Sequence, residues 1–326
     1  MTTEEIKSYI YNNKICVVTN SISLPSTLLL PSLKTYIEYL PIQNFWIIPG
    51  FLQNKLCYGL SAFLYMIQYM LQFNNFDYVI YLDEDVFIKD FSLLIEEFDK
   101  FKKQNCCLAG IQDGSLLWHR NHSKYLINTF ISFWNIKQYR ESNISIEDIT
   151  LYINSHKEST FKNWFIDIKE NNQKLFEKIK KYAGFVSKQA ENYRKIYLKD
   201  NNFESEYASI VRNDNRNKIE NKQEPYTSDD EIAINNFEPY YILEQYLINK
   251  TNSPIYYLFA TDFTDKEYKG KCDTSGLTTA VRSPNDNKII AVHTWFSRAY
   301  TKWPQEELQV IHTRRINSII KQFSKI

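Results

Sequence analysis

The sequence predicts an α/β fold: a mostly parallel, Rossmann-like sheet wound with helices on both faces and interrupted by a helical insertion. Three observations carry this expectation. Short apolar runs of strand character alternate with longer segments whose apolar residues recur at helical spacing. One of those runs, "YVIYL" at 78–82, ends abruptly in Asp83, Glu84 and Asp85, where a strand of a parallel sheet would reach its carboxyl end. A stretch rich in Lys, Asn and Glu from 141 to 224 then breaks the alternation.

Taken in order, "KICVVT" (14–19) is a first strand, closed by Thr19 and Asn20. Residues 26–40 place apolar side chains at helical spacing, and "NFWIIPG" (44–50) is a second strand stopped by Pro49 and Gly50. "LCYGLSAFLYMIQYMLQF" (56–73) has the breadth of a long buried helix, and the acid-ended strand follows it. "SLLIEEFDKF" (92–101) is an amphipathic helix for which Ser92 offers an N-cap, and "CCLAGI" (106–111) is a further strand. Consecutive β–α units of this kind build a parallel sheet. Strand patterns return in "SPIYYLFATDF" and "NKIIAVHTWF", and "EELQVIHTRRINSIIKQF" is an amphipathic C-terminal helix. The expected division is therefore 1–140 as one half of the α/β domain, 141–224 as a helical insertion or subdomain, and 225–326 as the second half. The basic run at Lys178–Lys181 reads as a solvated helix face.

Composition narrows the chemistry. The 39 basic and 38 acidic residues almost cancel among 326, so no whole-molecule field favours nucleic acid. Only 7 glycines occur, with neither a GxGxxG nor a GxxxxGK[ST] motif, so the glycine-built phosphate cradles are missing. A bound nucleotide would need its phosphates neutralised by other means, and a divalent metal ion is the direct candidate. Five cysteines occur without a CxxC pair; Cys16, Cys106 and Cys107 lie in apolar strand-like runs and read as buried free thiols, which fits a reducing cytoplasm. The N-terminal residues carry no apolar signal core, and no apolar stretch is long enough to span a bilayer. Cytoplasmic location is the expectation, with peripheral association at the inner face of a membrane left open.

The acids after "YVIYL" need a reason, because three adjacent carboxylates repel one another and resist desolvation. Residues two apart on an extended segment point the same way, so Asp83 and Asp85 can face one ion. Hard oxygen ligands suit Mg²⁺ or Mn²⁺, which commonly bridge carboxylates and substrate phosphates. The plainer reading is that the triplet only ends a strand and starts a turn.

At these residues the chain resembles the nucleotide-sugar-dependent glycosyltransferases of the GT-A fold. "YVIYLDEDVFIKDF" is similar to their DxD motif, and the resemblance extends over most of 14–135 and about 226–303. It implies that Asp83 and Asp85 hold a Mn²⁺ or Mg²⁺ ion with Glu84 between them, and that Asp83 and Glu84 adjoin the nucleotide-sugar donor. It implies further that His293, closing an apolar strand in "KIIAVHTWF", completes the metal shell. The long His-Gly-Lys-Pro pattern of the glycogenin-like branch is missing here, so that branch's retaining stereochemistry is not implied. Thr19 and Asn20 stand where this fold seats the nucleotide base.

In inverting relatives an acid on the acceptor side deprotonates the attacking hydroxyl. "YTSDDEIAINNF" offers Asp229, Asp230 and Glu231 for this, although acids at a helix start are favoured by the dipole anyway. Asp113, Arg120 and Asn128, within "GIQDGSLLWHRNHSKYLINTF", could bind sugar hydroxyls or phosphate. His119 and His122 could instead bind zinc, but no further ligand accompanies them. Arg298 and Lys302 could neutralise a departing diphosphate. The implied partners are a nucleotide-sugar donor, UDP-linked on family frequency, and a glycan, lipid-linked or protein acceptor. A nucleotidyltransferase, or a carbohydrate-binding protein of the same fold without turnover, are the rival readings.

Overall fold

The computed structural model describes residues 1–21, 29–49, 60–73, 75–112, 125–156, 168–197, 240–262, 278–294 and 306–323. The chain opens with helix α1 (Thr3–Asn12), entered through a capping box in which Thr2 and Glu5 satisfy each other's backbone N–H groups. Strand β1 (Ile15–Ser21) follows. Residues 26–40 do not form one helix among the described positions. They give a short α2 (Leu29–Leu33) with Pro31 in its first turn, where a missing N–H costs nothing, and then a 3₁₀ turn at Ile37–Tyr39.

Strand β2 (Phe45–Pro49), helix α3 (Leu60–Gln72) and strands β3 (Tyr78–Leu82) and β4 (Val86–Ile88) come next, then helix α4 (Phe91–Lys103). The cap of α4 is Asp90 and not Ser92: the Asp90 carboxylate accepts the Leu93 N–H, while Ser92 lies inside the first turn and donates to the Met1 carbonyl. A carboxylate two residues earlier meets the unpaired N–H groups and their positive dipole end better than a hydroxyl does.

Strands β5 (Leu108–Gln112) and β6 (Ile127–Trp134), helices α5 (Ile136–Glu141), α6 (Ile146–Ser155), α7 (Gln173–Tyr197) and α8 (Tyr241–Thr251), strands β7 (Ile255–Leu258), β8 (Ala260–Asp262), β9 (Thr278–Arg282) and β10 (Ile289–Thr294), and helix α9 (Glu306–Phe323) complete the described chain.

Six strands form the central sheet in the order β2-β1-β3-β6-β5-β7. The pairs β1–β2, β1–β3 and β5–β7 are parallel, as the alternating pattern predicts. The sheet is not parallel throughout. Strand β6 inserts between β3 and β5 and runs antiparallel to both. All eight of its residues are buried, so its run "INTFISFW" carries no alternation and reads equally as buried helix or strand.

A second sheet, antiparallel throughout, has the order β4-β10-β9-β8. Its two outer strands continue strands of the first sheet: β3 passes through residues 83–85 into β4, and β7 passes through Phe259 into β8. Two such crossings join the sheets. The small sheet obeys the period of two. Phe87 and Val292, register partners, face α9 and its Ile316, Ile319 and Phe323, while Val86, Ile88 and Ala291 join the main core.

Where it is described, the 141–224 stretch packs on the central sheet. Helix α7 buries Leu175, Phe176, Ile179, Ala183, Val186 and Ala190 in the same core as the central sheet. Its Ala183 carbonyl accepts from the Gln112 side chain, and Ser187 donates to that same amide's oxygen. The Lys-rich face simply covers one side of an amphipathic helix whose other side packs on the domain. No described helix is long and apolar enough to cross a membrane.

Cys16, Cys106 and Cys107 are free and buried, as expected of such runs. Burial pushes the thiols of Cys16 and Cys106 up to about 12 and that of Cys107 higher still. The thiolate is the reactive form, so these three should resist alkylation in the native protein and label only on unfolding, as mass-spectrometric mapping would show. Rapid native labelling of any of them would contradict the packing described.

Candidate metal centre

The acidic triplet occupies the crossing between the two sheets, which is why a buried strand can end in three carboxylates. Strand β3 stops at Leu82, the Asp83 N–H donates to the Phe130 carbonyl of β6 (2.8 Å), and the Val86 N–H closes a tight turn on the Asp83 carbonyl (3.1 Å). The turn redirects the chain into β4. There His293 lies opposite Val86 in the β4–β10 register, and the Thr294 N–H donates to the Asp85 carbonyl (3.1 Å). Backbone pairing alone therefore brings a residue 208 positions away in sequence beside Asp85.

Side chains complete the arrangement. Nε2 of His293 lies 3.1 Å from Oδ1 of Asp85, and both side chains are almost fully buried. The imidazole stacks on the Phe130 ring, with centroids 4.0 Å apart and planes 12° from parallel, which fixes its rotation. Asp83, Asp85 and His293 each offer a ligand atom within 4.8 Å of the others. Two carboxylates and one imidazole that converge so closely suit a divalent ion, since O/N donors of this kind bind Mg²⁺, Mn²⁺ and related ions. A positive ion also offsets the repulsion that burying Glu84 (1% exposed) and Asp85 (3%) beside Asp83 creates.

The residues that hold the triplet are Asn20 and Tyr81. The Asn20 amide donates to the Tyr81 hydroxyl (2.6 Å) and to Asp83 Oδ1 (3.0 Å), and its oxygen accepts the Glu84 N–H (3.1 Å). That last bond fixes which way the amide faces, because a backbone N–H can only donate to the oxygen. The Tyr81 hydroxyl in turn donates to Asp83 Oδ1 (2.8 Å). Burial first, and then the charge of Asp83, push the Tyr81 phenol well above its ordinary range, so it remains a donor.

The structure thus brings Asp83, Glu84, Asp85, Asn20 and His293 together. Asn20, expected beside a nucleotide base, directs its amide to the acidic turn. Thr19 is fully enclosed, its hydroxyl turned to the Asn20 carbonyl (3.5 Å). Asn128 is also buried, and its side-chain oxygen accepts the Phe130 N–H (3.2 Å), which supports the strand that carries Phe130. Asp113, Arg120, Asp229, Asp230, Glu231, Arg298 and Lys302 lie outside the described residues, as do His119 and His122.

Sequence reasoning passed over Tyr81 and Phe130, which look like ordinary apolar strand positions. The one available signal for Tyr81 is its spacing: two before Asp83, it projects to the same face of β3.

The fold and the cluster together define a mixed α/β protein with a mostly parallel, Rossmann-compatible central sheet and a candidate metal centre at the carboxyl end of β3. No family model matches the chain, and no curated protein matches it. Among solved structures the chain is similar to one described as "Crystal Structure of A197 from STIV", at 11% identity and a TM-score of 0.27, covering 39% of this chain and 68% of that one. A likeness that slight carries no argument about fold or activity.

Proposed function

We propose that the protein is a metal-dependent glycosyltransferase of GT-A type that takes its sugar from a nucleotide-diphosphate donor, with UDP favoured. One observation carries this reading: Asp83, Asp85 and His293 converge at the carboxyl end of a parallel strand, where open α/β sheets receive their ligands. In a chain without a glycine-rich phosphate loop, a metal ion is the natural means of holding a diphosphate. Bound there, Mn²⁺ or Mg²⁺ would act as Lewis acid on the departing diphosphate.

The chain's own residues would supply the rest. Asp83 and Asp85 would ligate through carboxylate oxygens and His293 through imidazole nitrogen, held for it by the Phe130 stack. The burial of Asp85 and His293 would strengthen their electrostatic hold on the ion. The acceptor would be a glycan, a lipid-linked saccharide or a protein hydroxyl, with its proton taken by an acid from the 229–231 stretch.

Titration of UDP in the presence and absence of Mn²⁺ tests the reading, followed by a hydrolysis screen over UDP- and GDP-sugars. Metal-dependent UDP binding and hydrolysis of at least one donor are expected. Nucleotide binding indifferent to metal, or no binding at all, would overturn it. His293→Gln should raise the Mn²⁺ concentration needed for half-maximal UDP binding by about tenfold or more while leaving the melting temperature near the wild-type value. An unchanged Mn²⁺ requirement would remove His293 from the metal shell.

A further inference from the structure

We infer that Asn20 and Tyr81 form a clamp that presents Asp83 to the ion through a single oxygen, and that this clamp sets the site's preference for Mg²⁺ or Mn²⁺ over Ca²⁺. The inference rests on the metal-centre reading and adds to it what selects the ion. Oδ1 of Asp83 accepts from two donors at once, the Asn20 amide at 3.0 Å and the Tyr81 hydroxyl at 2.8 Å. A carboxylate oxygen has two lone-pair sites, so both are engaged. Asp83 can then reach an ion only through its other oxygen, unless one of these bonds is broken.

The clamp is rigid. Asn20 and Tyr81 are 3% and 1% exposed, the two donors are bonded to each other at 2.6 Å, and the Tyr81 ring packs edge-on against Phe63 at 4.9 Å. Asn20 is further tied to the turn backbone through the Glu84 N–H. Carboxylate rotation, which a bidentate grip requires, is thereby blocked from β1 and β3 together.

Coordination chemistry converts this into selectivity. Ca²⁺ accepts six to eight oxygens in flexible geometry and often takes a carboxylate in bidentate fashion, whereas Mg²⁺ demands near-octahedral, shorter contacts. A fixed one-oxygen carboxylate, a second carboxylate and an imidazole favour the smaller ions. Asn20 and Tyr81 touch no ion in this scheme. They are positioning residues acting through Asp83.

The test is calorimetric titration of the full chain with Mn²⁺ alone and Ca²⁺ alone, for the wild type, Tyr81→Phe and Asn20→Ala. Tyr81→Phe keeps the ring and its packing and deletes only the hydroxyl, so it should fold as the wild type does. It should bind Mn²⁺ about tenfold more weakly, the lower end of what losing an outer partner of a ligand costs. Ca²⁺ affinity should hold or improve, so the Mn²⁺-to-Ca²⁺ ratio should fall. Asn20→Ala should move the ratio the same way.

A purely structural role would weaken both ions together and lower the melting temperature, and that outcome overturns the clamp. An unchanged ratio in a well-folded Tyr81→Phe overturns it as well. If the wild type binds neither ion, the metal-centre reading fails and the clamp with it. Wild-type binding with an unmoved ratio leaves the metal centre standing and removes the clamp alone.

Discussion

Asp85→Asn should abolish Mn²⁺-dependent UDP binding and donor turnover while the protein keeps its fold. Asp85 is buried, and its Oδ1 sits 3.1 Å from His293 Nε2. The amide is nearly the same size and still presents an oxygen on one side, but it lacks the charge that a divalent ion requires. A metal ligand lost in this way should weaken Mn²⁺ binding beyond the roughly 10–100-fold typical of an outer-shell partner. Removing one of three adjacent charges also relieves repulsion. The melting temperature without metal should therefore hold or rise, because the Asp85 carbonyl that receives the Thr294 N–H is untouched. Titration of Mn²⁺ and UDP together with a thermal melt checks both halves. Wild-type metal binding in a folded Asp85→Asn would remove the assignment.

Of the two described glycines, Gly110 is the one at which an added methyl group should destabilise the protein. A Cβ at Gly110 would lie 2.5 Å from Ile127 Cδ1 and 2.9 Å from the Asn128 carbonyl oxygen. The Ile127 side chain can shift its tip, but the Asn128 carbonyl belongs to the central strand β6 and cannot rotate away. The contact falls where the β5–β6 register shifts, between Ala109 and Ile111, so the strands approach closely there because no side chain intervenes.

Overpacking of this kind costs about 1–3 kcal/mol. A second effect should follow from position. The displaced stretch leads to Phe130, whose carbonyl receives the Asp83 N–H and whose ring stacks on His293, so Mn²⁺ affinity should fall along with stability. Gly184→Ala is the matched control: it lies in helix α7 with nothing within 4 Å of the added carbon, and should stabilise by about 0.5–1 kcal/mol. Denaturant melts of the two variants separate these expectations. Similar stability changes in both would mean that the β5–β6 approach is looser than described.

The alternation of strands and helices, the carboxyl-end position of Asp83 and Asp85, and the strand that ends in His293 were all legible in the sequence. Each depends on local periodicity and on residue types that chemistry restricts. A run such as "YVIYL", short and made of β-branched and aromatic residues, favours a buried strand, and acids at its end have few stable settings. The middle stretch was legible as helix but not in its placement. The apolar stripe of α7 shows that it must pack on something, and only the tertiary contacts, its shared core and the Gln112 bonds to Ala183 and Ser187, show that the partner is the main domain.

Strand direction was beyond the sequence. Nothing in "INTFISFW" distinguishes a parallel from an antiparallel neighbour, because a strand buried on both faces carries no alternation and direction follows from the connections around it. The second sheet was hidden for a different reason, since β4 and β8 are three-residue continuations of longer strands. That sheet decides the site. His293 reaches Asp85 only because β10 pairs with β4, and Asn20 reaches Asp83 only because β1 pairs with β3. Residue chemistry by itself determined which groups could bind an ion. Long-range pairing, whose register is set by burial summed over whole strands and not by any local pattern, decided which of them meet.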